Sequence, residues 1–570
     1  MNKLQLHKRV TEECPVNLED HQVENVKKMW DTLSSHFSTI NSSGGGGGKT
    51  HVALCIAWWL QRAYGMKVMV VGPNDSSLTS ADSWGFWAKE YDIDLEIATT
   101  YTMLRGGQGS VSHDWLIPNK YDKTDWKASK SFEKLCEQGL FIIFDEFHKA
   151  TRKSITHNAC AALVRCAKKY RCRVALLSYT PGDRPEHVTQ ILRMAGIVSS
   201  DRMFKYIPIS GEYRVDKFGL GELTQTCKKF AKMTGKVIDP SDFDFENINA
   251  KKSHVIALKL YNTYIRPVIT HAMPKPEMNV KVEMLNAFLE TDGKSLELLE
   301  QGILMLRGAV AWNANLQQVG DQNEWSLANI GNALKMIEQG KLLSIARYVR
   351  EESMKFPNKK FVISCGARGI EHHDILKTIL YKEYVPDMYK DIIWELKKTN
   401  ENWRKLPKDM MNYILDFLKC RVHPDVLNGQ LGKRERNQVL SKFQENSNNS
   451  WCLIISPGIG AEQISLHDRF GGRSREMLIL PDYWFGRNVQ LTCRIVRVGM
   501  KSDAKVLIVY SKNGSLETSI LNSMVQKSKT SRDIMSEGQE LVYPGEYNFW
   551  IQGDRDIDLE NRLTALQQNV

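Results

Sequence analysis

Short apolar runs, each about five residues long, recur along the chain and alternate with stretches where apolar residues return every three or four positions. In the first half the runs are Val68–Pro73 (VMVVGP), Leu95–Thr99, Leu140–Phe144 (LFIIF) and Val174–Ser178. In the second half they are Lys360–Ser364, Trp451–Pro457, Met477–Pro481 and Lys505–Tyr510. An unbroken apolar run of strand length is the pattern of a strand buried on both faces, as in a parallel sheet covered by helices. Helical spacing marks Glu19–Phe37, where Val26, Met29, Trp30 and Leu33 form one stripe, and also His51–Leu60, Ser154–Tyr170, Ile370–Tyr381 and Leu516–Lys529. From Gly182 to Phe356 helix patterns dominate, at Leu223–Thr234, Ser253–Leu260, Ser295–Ala311 and Ile330–Glu352, with scattered charge at Lys251-Lys252 and Lys275–Lys281. Trp115–Lys134 reads as polar and irregular, and Gly106–Ser110 as a loop. The expected fold is α/β: two tandem parallel-sheet domains, a helical insertion between them and a C-terminal helical tail. The expected divisions are 1–205, 206–355, 356–512 and 513–570.

Two stretches carry chemistry into this pattern. Ser43–Thr50 reads SGGGGGKT and opens a helix. Glycines let the backbone fold back with its N–H groups inward, where they cradle phosphate oxygens. Gly46, Gly47 and Gly48 would line that cradle, Lys49 would reach the terminal phosphates, and the Thr50 hydroxyl would sit on Mg²⁺. A flexible glycine linker ending in Lys-Thr is the competing reading, but a linker gives no reason for the helix and strand that follow. Gln22, ahead of the loop, can present its amide to both the donor and the acceptor edge of adenine. The second stretch is LFIIFDEFHKA, a buried strand ending in Asp145 and Glu146 at the carboxyl edge, where open α/β sheets bind ligands. Asp145 suits outer-shell holding of Mg²⁺, and Glu146 is placed to polarise a water attacking the terminal phosphate. Asn74–Ser80 reads as a polar turn, and the strand Leu95–Thr99 ends in Thr100-Tyr101, where hydroxyls and backbone N–H groups suit the phosphates of a backbone lying across the sheet.

The bulk properties add little beyond limits. With 570 residues, one core is too few and roughly two to four domains are expected. A formal net charge of +11 permits a polyanionic partner without demanding one. The 11 cysteines lack a CxxC pair and read as reduced thiols; the even spacing of Cys160, Cys166 and Cys172 fits a buried helix face better than metal ligation. No secretory pattern and no apolar run of membrane-spanning length occurs, so the expectation is a soluble intracellular protein with no membrane partner, in cytoplasm, nucleus or virion alike.

Taken together, the motifs resemble those of superfamily-two helicases and translocases, whose two RecA-like domains share one ATP at their cleft. SGGGGGKT is similar to motif I, VVGPN (Val70–Asn74) to Ia, Asp145-Glu146-Phe147-His148 to motif II of the DExH kind, and SYTP (Ser178–Pro181) to III. VISCG (Val362–Gly366) resembles motif IV, and NGQLGKRERNQVLSKF the segment between IV and V. SPGIGAEQISL (Ser456–Leu466) resembles motif V, and QLTCRIVRVG (Gln490–Gly499) motif VI. The run from LILPDYW through Gln490, Arg494 and Arg497 is closest to Swi/Snf-like translocases and divergent viral relatives. Ser43, Phe147, Gln463 and Cys493 depart from the usual residues, the last two where members often carry glycine.

The resemblance implies ATP and Mg²⁺ as cofactors. It implies that Lys49, Thr50, Asp145 and Glu146 act on the nucleotide, metal and water, that Gln490 and Arg494 contact the nucleotide or water, and that Arg497 contacts the γ-phosphate. Arg494 and Arg497 are expected at i and i+3 on one helical face. Nucleic-acid contacts would come from Pro73, Asn74, Thr100, Gly366, Arg434 and Ser456. The implied partner is nucleic acid, DNA ahead of RNA, with proteins of transcription or replication beside it. The implied activity is an ATP-driven helicase or translocase. The alternative is an ATPase-like structural subunit, of a viral particle for example, that binds nucleic acid or a polymerase without productive unwinding. A P-loop kinase or transporter ATPase leaves the second α/β half unexplained.

Overall fold

The computed structural model describes residues 12–79, 83–106, 113–118, 126–152, 154–170, 172–245, 253–274, 279–289, 296, 299–300, 302–304, 324–366, 410–419, 422, 424–429, 431–446, 451–460, 464–481, 485–497, 499–511 and 515–535. The helix expected at Ile370–Tyr381, most of Ser295–Ala311, Gly107–Ser110, Lys251-Lys252, Lys275, Gln463, the Asp482–Trp484 run and the tail beyond Glu537 lie outside the described residues. The chain folds as two compact units, one from Met1–Glu277 with Lys527–Leu541 and one from Met278–Gln526.

The first unit contains β1 (Ser38–Asn41), β2 (Lys67–Gly72), β3 (Leu95–Thr100), β4 (Leu116–Pro118), β5 (Trp126–Ala128), β6 (Leu140–Asp145), β7 (Arg173–Leu177), β8 (Phe204–Ile207), β9 (Glu212–Val215) and β10 (Thr270–His271). Its main sheet is six-stranded and runs β10-β1-β7-β6-β2-β3. Every pairing in that sheet is parallel. All six residues of β6 are buried, as its unbroken apolar run requires. Helices Asp20–Ser35, Lys49–Tyr64 and Ile155–Lys169 supply apolar faces to the clusters around this sheet.

The second unit contains β11 (Val282–Leu289), β12 (Lys360–Ser364), β13 (Pro424–Leu427), β14 (Cys452–Ile455), β15 (Arg475–Ile479) and β16 (Ala504–Ser511). They form a second parallel six-stranded sheet in the order β11-β16-β15-β12-β14-β13. The fold class is therefore α/β with two tandem RecA-like parallel-sheet units and a C-terminal helix, Ser515–Ile534; the stretch expected as a helical insertion gives one part to each unit.

Three details differ from the pattern read in the sequence. Within the stretch expected to be helical, Phe204–Ile207 pairs with Glu212–Val215, Thr270-His271 with β1 and Val282–Leu289 with β16. A two-residue strand has no periodicity to read, and β11 is only partly buried along most of its length, so its apolar residues do not form a run. Trp115–Lys134 is not irregular throughout: β4 and β5 make an antiparallel hairpin and a helix starts at Lys130. Leu116, together with Trp126 and Phe132, which each stand between polar neighbours, holds that segment down by burial in the core. Finally, the helix carrying Gln490 stops at Thr492, so Arg494 and Arg497 do not share a helical face. The Thr492 hydroxyl bonds back to the Val489 carbonyl at 2.7 Å, the Arg494 carbonyl accepts the Leu466 N–H at 2.9 Å, and Ile495 and Val496 turn into the core.

Candidate nucleotide site

β1 ends in Asn41, and the glycine loop bridges from there to the helix that begins at Lys49. The loop reverses direction through Gly46 (φ 77°) and Gly48 (φ 88°), backbone conformations in which a side chain is strained. Its root is fixed by Ser43. The Ser43 N–H donates to Asn41 Oδ1 at 3.0 Å, the Ser43 hydroxyl also contacts that oxygen, and it accepts the Met273 N–H at 2.8 Å. Serine at the position usual for a small residue thus has a structural use. Asn41 is itself tied to Asn25 on the preceding helix at 2.8 Å.

Lys49 folds over the loop, and its Nζ donates to the carbonyls of Ser43 at 2.9 Å and Gly44 at 3.2 Å. Thr50 follows on the same helix turn. Gln22 lies beside the loop: a Cβ on Gly48 would collide with its side-chain amide. The Gln22 Oε1 accepts the Glu19 N–H at 3.1 Å, and His21 Nε2 lies 3.3 Å from the Gly47 carbonyl.

The carboxylates stand at the carboxyl edge of β6. Trp84 Nε1 donates to Asp145 Oδ2 at 2.9 Å, and the Tyr101 hydroxyl donates to the Asp145 carbonyl at 2.9 Å. Burial pushes the Asp145 carboxyl up to about 7 and the charge of Glu146 adds to that, while the Trp84 N–H and the Lys49 ammonium pull it down. Glu146 has φ 50° and ψ 46°, a left-handed conformation that costs a non-glycine residue about 1 kcal/mol or more. That turn swings its carboxylate to His148, whose Nδ1 lies 3.2 Å from Glu146 Oε2 and 2.9 Å from Ser178 Oγ. Ser178 Oγ also accepts the Thr180 N–H at 3.2 Å. A polar chain thus joins the end of β6 to the end of β7.

The remaining expected residues fall into groups. Pro73-Asn74 and Thr100 end the neighbouring strands β2 and β3, but two of those side chains already cap helices: Asn74 Oδ1 accepts the Ser77 N–H at 2.9 Å and Thr100 Oγ1 the Met103 N–H at 3.1 Å. In the second unit Gly366 and Ser456 follow the neighbouring strands β12 and β14. A Cβ on Gly366 would lie 2.9 Å from Glu338 Oε2, and Ser456 is buried. Arg434 is exposed on the helix after β13, in a shallow groove with Asn437, Gln438 and Ser441. Gln490 and Arg494 are buried, and Arg497 Nη1 donates to Ser465 Oγ in its own unit.

Trp84, Tyr101 and Asn41 were not legible as site residues. Asn41 left a trace, a lone amide ending a buried strand before the glycines. Tyr101 was legible only as part of a hydroxyl-bearing strand end and Trp84 left no trace, because only the sheet order brings them to Asp145.

Among the described residues no group of three or more His, Cys, Asp or Glu is placed to hold a metal by itself. A cation at Thr50 and Asp145 would take its other ligands from phosphate and water, which is how Mg²⁺ is commonly held. The hard oxygen donors and the adjacent carboxylates, Asp145 buried and Glu146 partly so, fit such an ion. No described helix is long and apolar enough to cross a membrane.

Among solved structures, the chain is similar to the Sulfolobus solfataricus SWI2/SNF2 ATPase core in complex with dsDNA, at 14% identity and a TM-score of 0.28, over 92% of this chain and 98% of that one. No protein-family model and no curated protein matches.

Proposed function

We propose that this chain is a nucleic-acid-dependent ATPase, a helicase or translocase that couples ATP hydrolysis to movement along a strand or duplex, DNA ahead of RNA. The carrying observation is a juxtaposition made by the sheet. A glycine loop bent through positive φ and a buried strand-end carboxylate, far apart in sequence, leave β1 and β6 at the same carboxyl edge of one parallel sheet, with only β7 between them. In this reading Gly46, Gly47, Gly48 and Lys49 hold the phosphates, Thr50 and Asp145 hold Mg²⁺, and Gln22 reads adenine. Mg²⁺, when bound, offsets phosphate charge. Glu146 accepts the proton of the attacking water, with His148 keeping its carboxylate oriented. Gln490 and Arg494 contact the nucleotide or the attacking water and Arg497 the γ-phosphate, and cycles of ATP binding and hydrolysis step the protein along its track. Pro73, Asn74, Thr100, Gly366, Arg434 and Ser456 contact the track's backbone, which gives little sequence preference and a steep salt dependence.

One observation favours the second reading, an ATPase-like structural subunit that binds nucleic acid or a polymerase without unwinding: Arg497 is bonded within its own unit rather than projecting from a helix. Steady-state ATP hydrolysis decides between them, measured alone and with single- and double-stranded DNA and RNA, with Lys49→Ala as the blank. Stimulation by one polymer identifies the motor and its track. Hydrolysis no faster than the blank under every condition removes the motor and leaves the subunit.

A further inference from the structure

We propose that the hairpin β8–β9 is a docking surface for single-stranded nucleic acid, with Tyr206 and Tyr213 as a base-stacking platform and Lys205 and Arg214 as phosphate contacts. The proposal rests on the reading above that nucleic acid is the polymer partner. It adds a site that no motif marks.

The chemistry follows from register. Phe204 pairs with Val215, Lys205 with Arg214, Tyr206 with Tyr213 and Ile207 with Glu212. Paired residues share a face and successive pairs alternate, so the two tyrosines lie on one face and the two cations on the other. Their ring centroids are 5.1 Å apart with planes 53° from parallel, and Tyr206 is 50% and Tyr213 52% exposed. At the turn, Ile209 is 99% exposed. Folding alone does not explain this choice of residues. Like charges directly opposite one another cost stability. Lys205 has no ion-pair partner among the described residues. Glu212 lies 3.8 Å from Arg214, but both are well exposed and such a pair stabilises little.

An isolated two-stranded ribbon is marginal in water, and this one is pinned at its base. The Asp216 N–H donates to the Met203 carbonyl at 3.0 Å, and the Asp216 carboxylate accepts the N–H groups of Phe218 at 2.9 Å and Gly219 at 3.0 Å. Ser199 and Ser200 N–H groups both donate to the Phe218 carbonyl, at 3.0 and 2.9 Å. The Phe204 ring meets Phe245 edge-on at 6.4 Å, and Gly219 sits where any Cβ would collide with the Arg202 carbonyl. The ribbon's ordering is thus borne by folding rather than by binding.

A narrow ribbon with an aromatic face and a cationic face matches a single strand, whose bases offer π-faces and whose phosphates run beside them. A duplex keeps its base faces stacked inside. A purely apolar protein partner would leave the opposed cations unused.

The test is fluorescence anisotropy of fluorescein-labelled oligo(dT) and oligo(U) with the full chain, over a range of salt concentrations. Tyr206→Ala/Tyr213→Ala should weaken binding about tenfold or more, and Tyr206→Phe/Tyr213→Phe should retain it, because stacking survives loss of the hydroxyl. Lys205→Ala/Arg214→Ala should weaken binding and flatten the slope of log K on log salt by about 1.4. Circular dichroism checks that each variant is folded. If the wild type binds the oligonucleotides and the alanine pair binds them equally well, the hairpin proposal is overturned while the ATPase reading stands. Equal losses in the phenylalanine and alanine pairs overturn stacking as well. A wild type that binds neither oligonucleotide, and hydrolyses ATP no faster than Lys49→Ala, overturns both readings together.

Discussion

Trp84 and Asp145 are joined by a buried hydrogen bond, the indole N–H to carboxylate Oδ2 at 2.9 Å, with the tryptophan 1% and the aspartate 5% exposed. It links the helix Trp84–Glu90, which packs beside the short helix after Pro73-Asn74, to the carboxylate proposed to hold Mg²⁺. A partner that orients a metal-binding carboxylate typically contributes tenfold or more in metal affinity. Trp84→Phe keeps most of the packing and removes the donor. The Mg²⁺ concentration giving half-maximal ATP hydrolysis should rise about tenfold, with a smaller change in the rate at saturating Mg²⁺. An unchanged Mg²⁺ dependence would show that the bond is only structural.

The chain Glu146–His148–Ser178–Thr180 runs between the ends of β6 and β7. Ser178 is wholly buried, so its hydroxyl has no other outlet, and His148 is only partly covered. Ser178→Ala and His148→Ala act on the same link, so their effects on polymer-stimulated hydrolysis should not add; residues in one network show couplings of about 0.5–3 kcal/mol. A double-mutant cycle on the stimulated rate measures this. Strict additivity would disconnect Ser178 from the carboxylate.

Gly48 has two reasons to be glycine: its φ of 88° and the Gln22 amide that a Cβ would strike. Gly48→Ala should lower the unfolding free energy by about 1–2 kcal/mol from backbone strain alone, and more from the collision, and it should abolish nucleotide binding. Adding Gln22→Ala removes the collision but not the strain. Urea unfolding should therefore show partial recovery of stability in Gly48→Ala/Gln22→Ala, while binding of a fluorescent ATP analogue stays lost. Full recovery of stability would mean that φ at this position is not costly.

Much of the fold was legible because parallel strands covered by helices leave unbroken apolar runs, as β6 and β14 do. The bend of the glycine loop was legible for a different reason: glycine's backbone freedom is needed at Gly46 and Gly48, and the glycines stand in one line. What the sequence hid depends on distant neighbours. β10 is two residues long and is a strand only because β1 offers it an edge. Trp84 reads like any core tryptophan until the sheet order β6-β2-β3 places it at Asp145. Arg494 and Arg497 have helical spacing, yet the buried Ile495 and Val496 and the Leu466 contact end the helix before them.

His157 gives the first unit an acid limit that is independent of the nucleotide residues. It is fully buried in the first turn of the helix Ile155–Lys169; its Nδ1 bonds to the Ala150 carbonyl at 2.7 Å and its Nε2 has no hydrogen-bond partner among the described residues. Burial is the main cause that lowers its pKa from 6.5 to about 4. Arg193 and Arg165 add to the lowering, and the Ala150 bond and Asp201 oppose it. Because the folded pKa lies below the unfolded one, the unfolded chain binds more protons between these values and stability rises with pH there. The contribution is complete above 6.5 and is lost as pH falls toward 4, about 3 kcal/mol at the limit. His271 and His467, also lowered by burial to about 4, act in the same direction. His157→Gln retains an amide donor for Ala150 and cannot titrate. The slope of unfolding free energy against pH, measured by urea titration from pH 7 to pH 4, should fall by about one proton in that variant. An unchanged slope would mean that His157 titrates with its unfolded pKa, and that burial does not keep it neutral.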